Sequence, residues 1–360
     1  MEQEVFQTAS IGFIISGLLI GGFFGFILQR GRYCANTAFR DVIFVKDFTM
    51  FRAFLLALIT MIVGANLLYD LGLFTLAPQT FFPFANILGG FLFGIGMVLA
   101  GGCGSGVWYR TGEGHLGAWV AVLGMLIGAS ATTNGILNPL YRFIRGFKVS
   151  IAGKPNARLW EIFGDGMAEK WIVIAILAIA ALIFLYKGKP FAIGKQKKGF
   201  YWSVTGALIG ITCIVAFWAS QYWGGGEFAR GLNFATPTAE LMNVVTTGET
   251  RPMFAQEYTL GPFKVTWIIF TIIGVPIGAY LSARGLKEFI WKVPPPKELV
   301  TVFFAGILMG FSAILGGGCT VGQALVGVTT LSIGSIVASI FMVLGNWAMV
   351  YYKFIKPMKD

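Results

Sequence analysis

Long apolar stretches constrain this sequence more than any other feature. About 20 consecutive apolar residues cross a bilayer as a helix, and nine stretches of roughly that length are present. Charged residues make up only 12% of the chain, against about 25% in a typical soluble domain. The sequence therefore predicts an all-α integral membrane protein, with one membrane domain over residues 1–360. The nine predicted spans are residues 10–29, 51–69, 84–101, 116–135, 171–186, 200–219, 263–282, 299–316 and 332–352.

A repeated motif indicates that the chain contains two related parts. AGGCGSG at residues 100–106 returns 216 residues later as GGGCTVG at residues 316–322, and the ten residues before each copy align without a gap. The alignment pairs Cys103 with Cys319, each at a glycine-rich break that follows an apolar helix. Such a repeat predicts two structurally related halves. Chance similarity between apolar, glycine-rich helices is the alternative explanation.

The distribution of Lys and Arg predicts the orientation of the chain. Positive residues are enriched in loops on the inner side of a membrane, and placing the N-terminus outside puts 18 of the 27 basic residues inside. The long connection at residues 136–170 is the exception, because it holds six basic residues on the outer side. The same rule explains the net charge of +11, so this charge does not indicate a nucleic-acid partner.

With this topology, the two glycine-cysteine breaks enter the membrane from opposite faces. Broken helices that meet near the midplane around a substrate are typical of inverted-repeat transporters. We therefore expect a pseudo-two-fold architecture with an inverted repeat. The expected division is a first repeat at residues 1–150, a connecting region at residues 151–199 and a second repeat at residues 200–360.

Two further segments are too polar to span a membrane and too apolar to be ordinary loops. They are QRGRYCANTAFRDVIF at residues 29–44 and FARGLNFATPTAELMNVV at residues 228–245. The two segments align weakly at an offset of 200, which places Cys34 on Phe234. Irregular backbone at membrane depth is tolerated only when it is buried in protein or lines a cavity. We expect both segments to form short re-entrant half-helices.

The glycine-rich breaks have the composition of an anion site. A helix that begins inside a membrane protein presents unpaired N–H groups and a partial positive charge. Glycines such as Gly102 and Gly318 leave these groups open to a ligand, and an anion site results. Close packing of small residues between helices is the alternative explanation.

Three of the four cysteines, Cys34, Cys103 and Cys319, lie at such breaks. Cys213 lies in the middle of a span, and we interpret it as packing. We do not expect a disulfide, because none of the three has a nearby partner in the sequence. A neutral thiol is a weak donor and a weak acceptor that suits a soft, polarisable anion. The cysteines have no spacing typical of a metal site, so neither a metal nor a cofactor is predicted.

Three longer side chains are further candidates for binding an anion. Arg40 and Arg110 follow Cys34 and Cys103, and a cation inside a membrane protein usually has a functional role. The alternative explanation is that both arginines only set the orientation of the chain, as positive charges at the cytoplasmic face do. Gln323 follows the second break, where its amide would donate a hydrogen bond to the anion.

Three signatures resemble a known family. QRGRYCANTAFR, GMVLAGGCGSGVWYRTGEG and GGGCTVGQ are similar to motifs of the YeeE/YedE family of bacterial inner-membrane transporters of sulphur compounds. The resemblance covers nearly the whole chain and implies thiosulfate uptake along a narrow path past Cys34, Cys103 and Cys319. It also implies a cytoplasmic TusA-like sulphur-carrier protein as partner, and it leaves selenium compounds open as the substrate. From the topology, we expect Cys319 toward the outside, Cys103 toward the inside and Cys34 between them.

Two other classes of function stay open. A membrane thiol oxidoreductase needs a reducible cysteine pair and usually a C-x-x-C motif or a quinone site, and the sequence displays neither. In a general anion channel, the cysteines would only fill space. A signal peptide at residues 11–28 is not expected, because the start of the chain is acidic at Glu2 and Glu4. We therefore predict a transporter and not an enzyme.

Overall fold

The fold is built from helices. The computed structural model describes residues 8–151, 153–188, 199–250, 252 and 256–358. The acidic start of the chain and most of the lysine-rich connection at residues 187–199 lie outside these ranges. Within them, nine helices are long and apolar enough to cross a membrane, so the predicted all-α, multi-pass membrane protein is confirmed. The helices are α1 (Ile11–Arg30), α2 (Ala35–Phe44), α3 (Thr49–Asp70), α4 (Pro83–Leu99), α5 (Gly104–Gly112), α6 (Leu116–Thr133), α7 (Asn138–Arg145), α8 (Met167–Tyr186), α9 (Trp202–Tyr222), α10 (Thr236–Thr247), α11 (Trp267–Gly285), α12 (Pro296–Gly316) and α13 (Ile333–Val350).

Shorter elements connect or extend these helices. They are a 3-10 turn (Leu159–Ile162), strands β1 (Tyr258–Leu260) and β2 (Phe263–Val265), a π-helix (Thr320–Gly327), a second π-helical turn (Tyr351–Ile355) and a last 3-10 turn (Lys356–Met358). Each predicted span falls on one of the nine long helices. The start of α11 is four residues later than predicted, because β1 and β2 pair as an antiparallel hairpin just before it.

The same order of helices occurs twice in the chain. In the first series, α1 to α6, the second and fifth helices are short and the other four are long. The order returns as α9, α10, α11, α12, the π-helix Thr320–Gly327 and α13. Helices α7 and α8 lie between the two series. This order is the one that the expected inverted repeat requires, while its boundaries at residues 150 and 200 stay a prediction.

The two series contact each other at several pairs of helices, four of which we call the seams. Helix α1 packs on α11 and α3 on α9, while α4 packs on α13 and α6 on α12. Exchanging the two series converts the first seam into the second and the third into the fourth. The helices in the first seam run parallel, because Gly21 contacts Thr271 and Gly25 contacts Val275. These contacts have the symmetry that a pseudo-two-fold axis predicts.

The seams depend on glycines that let two backbones touch. A Cβ atom at Gly278 of α11 would overlap the carbonyl oxygen of Gly22 in α1, whereas one at Gly285 in the same helix would meet no atom within 4 Å. We expect Gly278→Ala to lower the free energy of unfolding by about 1–3 kcal/mol through overpacking, and Gly285→Ala to leave it nearly unchanged. Thermal unfolding of both purified variants in detergent measures the difference. Equal midpoints for the two variants would contradict the close packing of this seam.

The connection between α6 and α8 is packed against neighbouring loops. Backbone hydrogen bonds join it to the loop before α4, through Phe81 and Pro155, and to the loop before α13, through Leu159 and Leu331. The sequence indicated no role for this connection. In the fold it ties together the two loops that precede α4 and α13.

Candidate functional site

Four short helices begin in the interior of the protein. They are α2, α5, α10 and the π-helix Thr320–Gly327. Helices α2 and α10 begin inside the two predicted re-entrant segments, and α5 and the π-helix begin at the two glycine-cysteine breaks. Three of them have a cysteine at the N-cap: Cys34 for α2, Cys103 for α5 and Cys319 for the π-helix. All three cysteines are buried. The predicted cysteines therefore mark the N-termini of interior half-helices.

The two glycine-cysteine breaks lie at opposite ends of an antiparallel helix pair. Gly89 of α4 lies beside Gly316 of α12, and Gly96 lies beside Met309, so the two helices run in opposite directions. The sequence predicted this arrangement for the third and eighth spans.

After each of these helices, a glycine turns the chain toward the interior. Gly101 and Gly317 have φ angles of 72° and 86°, a left-handed conformation that glycine adopts at little cost. The half-helices that follow meet each other. A Cβ atom at Gly104, the first residue of α5, would lie only 3.0 Å from Cβ of Cys319.

Cys34 and Cys103 form what we call the thiol pair. Their Sγ atoms are 3.7 Å apart, although the residues are 69 positions apart in the sequence. The Oγ atom of Ser105 lies 3.5 Å from Sγ of Cys103. Gly106 makes room for the pair, because a Cβ atom there would lie 2.7 Å from Sγ of Cys34. Both thiols are free, and the fold brings together two cysteines that are not close in the sequence.

Cys319 faces an asparagine where the first half has a second cysteine. Its Sγ atom lies 3.8 Å from Oδ1 of Asn233, which also accepts a hydrogen bond of 2.9 Å from the backbone N–H of Ala235 at the start of α10. Asn233 therefore contacts Cys319 in the second series of helices, just as Cys34 contacts Cys103 in the first. The sequence alignment had placed the neighbouring Phe234 in this position.

Cys103 has neighbours on two sides of the cluster. Its sulphur contacts that of Cys34, and the next residue, Gly104, packs against Cys319. Cys103 is therefore close to both of the other cysteines. The order of the three along a path, with Cys34 expected in the middle, stays a prediction.

Arg110 returns to the break that precedes its own helix. Its Nη1 atom donates a hydrogen bond of 2.5 Å to the carbonyl oxygen of Gly101, at the end of α4 where unpaired carbonyls remain. Gly102 packs nearby, and a Cβ atom there would lie 3.3 Å from Cγ1 of Val107. Arg110 thus holds the α4–α5 break in its bent form.

Gln323 plays a comparable part at the second break. Its Nε2 atom donates to the carbonyl oxygen of Gly316 at 2.6 Å and to Oε1 of Gln79 at 2.7 Å. Its Oε1 atom is buried without a hydrogen-bond partner among the described residues. Gly318 packs against the same side chain, because a Cβ atom at Gly318 would lie 3.1 Å from Cγ of Gln323. The amide N–H groups that we expected to meet an anion are therefore already used within the protein.

Arg40 and Cys213 differ from the residues of the cluster. Nε of Arg40 donates a hydrogen bond of 2.8 Å to the carboxylate of Asp41, and the arginine side chain is 34% exposed. Its charge is thus compensated by the next residue in the chain. Cys213 is fully buried in α9, within the apolar core, as its mid-span position suggested.

Charged groups follow directly after α5. Burial raises the pKa of the Glu113 carboxyl, and the nearby guanidinium of Arg110 opposes part of that rise. Nε2 of His115 lies 3.9 Å from the same carboxyl, and burial lowers the pKa of this histidine below its usual value. The neutral form of His115 is therefore favoured, and the charge of Arg110 acts on both Glu113 and His115.

Sequence reasoning missed Tyr33, the residue directly before Cys34. Its side chain is 2% exposed, and its hydroxyl has no hydrogen-bond partner in the part of the chain that the structure describes. The motif around Cys34 pointed to this segment. The unpartnered hydroxyl has no sequence signal, because it depends on which side chains the fold brings around it.

The arrangement suits a small, soft anion. Half-helix N-termini offer N–H groups and a partial positive charge, and thiols offer polarisable contacts beside them. Within the described ranges, no group of three or more His, Cys, Asp and Glu side chains has the arrangement of a metal site.

Proteins of similar sequence are transporters by name. The thiosulfate transporter TsuA of Escherichia coli (strain K12) is 28% identical over 365 residues, which cover 96% of each chain. The thiosulfate transporter TsuA of Spirochaeta thermophila is 34% identical over 347 residues, or 95% of this chain and 99% of that protein. The probable transporter YedE of Salmonella typhimurium is 35% identical over 192 residues, or 51% of this chain and 41% of that protein.

The family described as sulphur transport matches residues 30–348. This range contains Cys34, Cys103 and Cys319, seven of the nine long helices in full, and α13 apart from its last two residues. The resemblance to YeeE/YedE transporters is confirmed by this match together with the two relatives that align along nearly the whole chain. The protein belongs to the sulphur transport family.

Proposed function

We propose that this protein takes up thiosulfate across the bacterial inner membrane. The observation that carries the proposal is the meeting of half-helix N-termini at three buried, free cysteines. Thiosulfate has oxygens that accept hydrogen bonds from N–H groups and a terminal sulphur that matches the soft thiols. Two relatives named thiosulfate transporters support the same substrate.

In this proposal the ion passes Cys34, Cys103 and Cys319 without covalent change, so the protein acts as a transporter and not as an enzyme. The thiols are weak hydrogen-bonding groups, and several weak sites in series allow an ion both to bind and to leave. Arg110 and Gln323 support the path indirectly, because they fix the two breaks from which the half-helices start.

Uptake of radiolabelled thiosulfate tests the proposal. The protein is expressed in bacteria that lack their own thiosulfate uptake systems, and accumulation above that of cells without it is the expected result. Competition by excess unlabelled selenosulfate measures the preference for sulphur over selenium, and competition by excess sulfate measures the need for a terminal sulphur atom. A folded, expressed protein that gives no accumulation of thiosulfate would contradict the proposal.

One observation favours a second candidate, a membrane thiol oxidoreductase. The thiol pair supplies the close cysteines, 3.7 Å apart, that such an enzyme needs. Thiosulfate labelled separately in its two sulphur atoms distinguishes the candidates. Transport brings both labels into the cell in equal amounts. Reduction by the pair would instead cleave the S–S bond of thiosulfate, so that the two thiols lose two electrons and two protons to become a disulfide while one label leaves as hydrosulfide and the other as hydrogen sulfite.

The N-terminus is proposed to lie outside and the C-terminus in the cytoplasm, on the basis of the Lys and Arg distribution. Ile136 lies between α6 and α7 and is 89% exposed, and Met358 near the C-terminus is 76% exposed. We expect a membrane-impermeant maleimide to label Ile136→Cys in intact cells and Met358→Cys only after permeabilisation. The four native cysteines are buried and do not interfere. The reverse pattern of labelling would overturn the orientation.

A cytoplasmic TusA-like sulphur carrier is the proposed acceptor of the imported ion. Its removal is expected to lower sustained accumulation without changing the initial rate of entry, because consumption and passage are separate steps. An unchanged plateau in cells without such a carrier would contradict this partnership.

A further inference from the structure

The side chain that precedes the thiol pair carries a polar group with no use inside the protein. Tyr33 is 2% exposed, and its hydroxyl has no hydrogen-bond partner among the described residues. Most buried polar groups are hydrogen-bonded, because a buried group without a partner loses its bonds to water and gains nothing in return. A phenylalanine would fill the same apolar space without this cost.

The fold holds Tyr33 at the turn that leads into the thiol pair. Arg32 has a left-handed φ of 49°, and the backbone N–H of Tyr33 donates to the carbonyl oxygen of Leu28 at 2.9 Å, so the chain turns sharply between α1 and α2. The side chain belongs to the same buried core as Cys34 and Cys103, and Tyr33 directly precedes the cysteine of the thiol pair that caps α2.

We infer that Tyr33 is a substrate-binding residue whose hydroxyl donates a hydrogen bond to an oxygen of the anion while the thiol pair holds it. The inference rests on the proposed function and extends it. A phenol is a better donor than a thiol, and hydrogen bonds to charged acceptors are stronger than neutral ones. The two kinds of group thus contact different ends of the ion: the thiols contact its soft terminal sulphur, and Tyr33 contacts its hard oxygens.

This division makes Tyr33 a determinant of specificity. An anion that has a terminal sulphur but no oxygen acceptor, such as hydrosulfide, gains nothing from the hydroxyl. An anion with both ends gains contacts of both kinds. The site therefore selects sulphur oxyanions over simple sulphide ions.

Tyr33→Phe removes only the hydroxyl and tests the inference. We expect the KM for thiosulfate uptake to rise about ten-fold or more, as for loss of a hydrogen bond to a charged ligand. The thermal unfolding midpoint of the purified variant without thiosulfate should be equal to or above that of the wild type, because no hydrogen bond within the protein is lost. The stabilisation that added thiosulfate gives the wild type should be smaller in the variant.

Tyr141→Phe is the matched control. The Tyr141 hydroxyl accepts a hydrogen bond of 2.8 Å from Nη1 of Arg145, so this variant should lose stability and keep its KM. An unchanged KM in Tyr33→Phe, or a lowered midpoint without thiosulfate, would overturn the role of Tyr33 and leave the proposed transport intact. Absence of thiosulfate uptake by the wild type would overturn both.

Discussion

Alanine at Cys103 is expected to reduce thiosulfate uptake about ten-fold or more, because each contact to a charged ligand is typically worth at least about 1.4 kcal/mol. The Sγ atom of Cys103 lies 3.7 Å from that of Cys34, and Cys103 is the N-cap of α5. Cys34→Ala and Cys319→Ala should show losses of the same order. Initial rates of radiolabelled uptake, corrected for the amount of folded protein in the membrane, measure the effect.

Cys213→Ala is the control for these three variants. It makes the same chemical change at a cysteine that is equally buried but lies in the middle of α9 and away from a half-helix N-terminus. Uptake by this variant should remain close to that of the wild type. Wild-type uptake by all of the first three variants would leave transport standing and show that the cysteines only fill space, as in a general anion channel.

Mild oxidation is expected to stop uptake almost completely and reversibly. The Sγ atoms of the thiol pair, Cys34 and Cys103, are 3.7 Å apart, and a disulfide would bring them to a bonding distance of about 2.05 Å. Diamide, a membrane-permeant azo compound, would accept two electrons and two protons from the pair and become the hydrazine, while the sulphur atoms form one bond. The bridge would remove both thiols from the path. Dithiothreitol should restore uptake.

Thiol counts in the denatured protein identify the bridge. We expect diamide to remove two titratable thiols from the wild type and from Cys213→Ala, and none from Cys34→Ala or Cys103→Ala. If uptake continues at the wild-type rate after two thiols have been lost, the ion does not pass the thiol pair. If no thiols are lost, the two cysteines do not approach each other in the membrane.

The sequence predicted the parts of this fold that depend on local composition. The span at residues 10–29 appears as α1 (Ile11–Arg30), and the re-entrant segment at residues 29–44 contains α2 (Ala35–Phe44). Both follow from apolar length and from the cost of exposing polar backbone to lipid. The glycine-cysteine breaks were visible for the same reason, because glycine marks where a helix ends.

Contacts between distant side chains were beyond the sequence. The thiol pair joins residues 69 positions apart, and the amide of Gln323 reaches Gln79 from 244 positions away. Hydropathy and spacing give no information on which side chains meet across such separations. For this reason Gln323 was expected to face an anion, while the fold uses its donor atoms inside the protein. The orphan hydroxyl of Tyr33 is a property of the same kind.

The seams have a consequence for the kind of motion that transport can use. Each seam joins a helix of residues 11–133 to a helix of residues 202–350, with glycines that bring backbone against backbone. Rocking one half as a rigid body against the other would have to separate all four seams at once, and close-packed interiors resist such displacement. The two series of helices therefore do not rock against each other as rigid units. We expect any motion that accompanies passage of the ion to keep all four seams closed, and so to move groups of helices that contain members of both series.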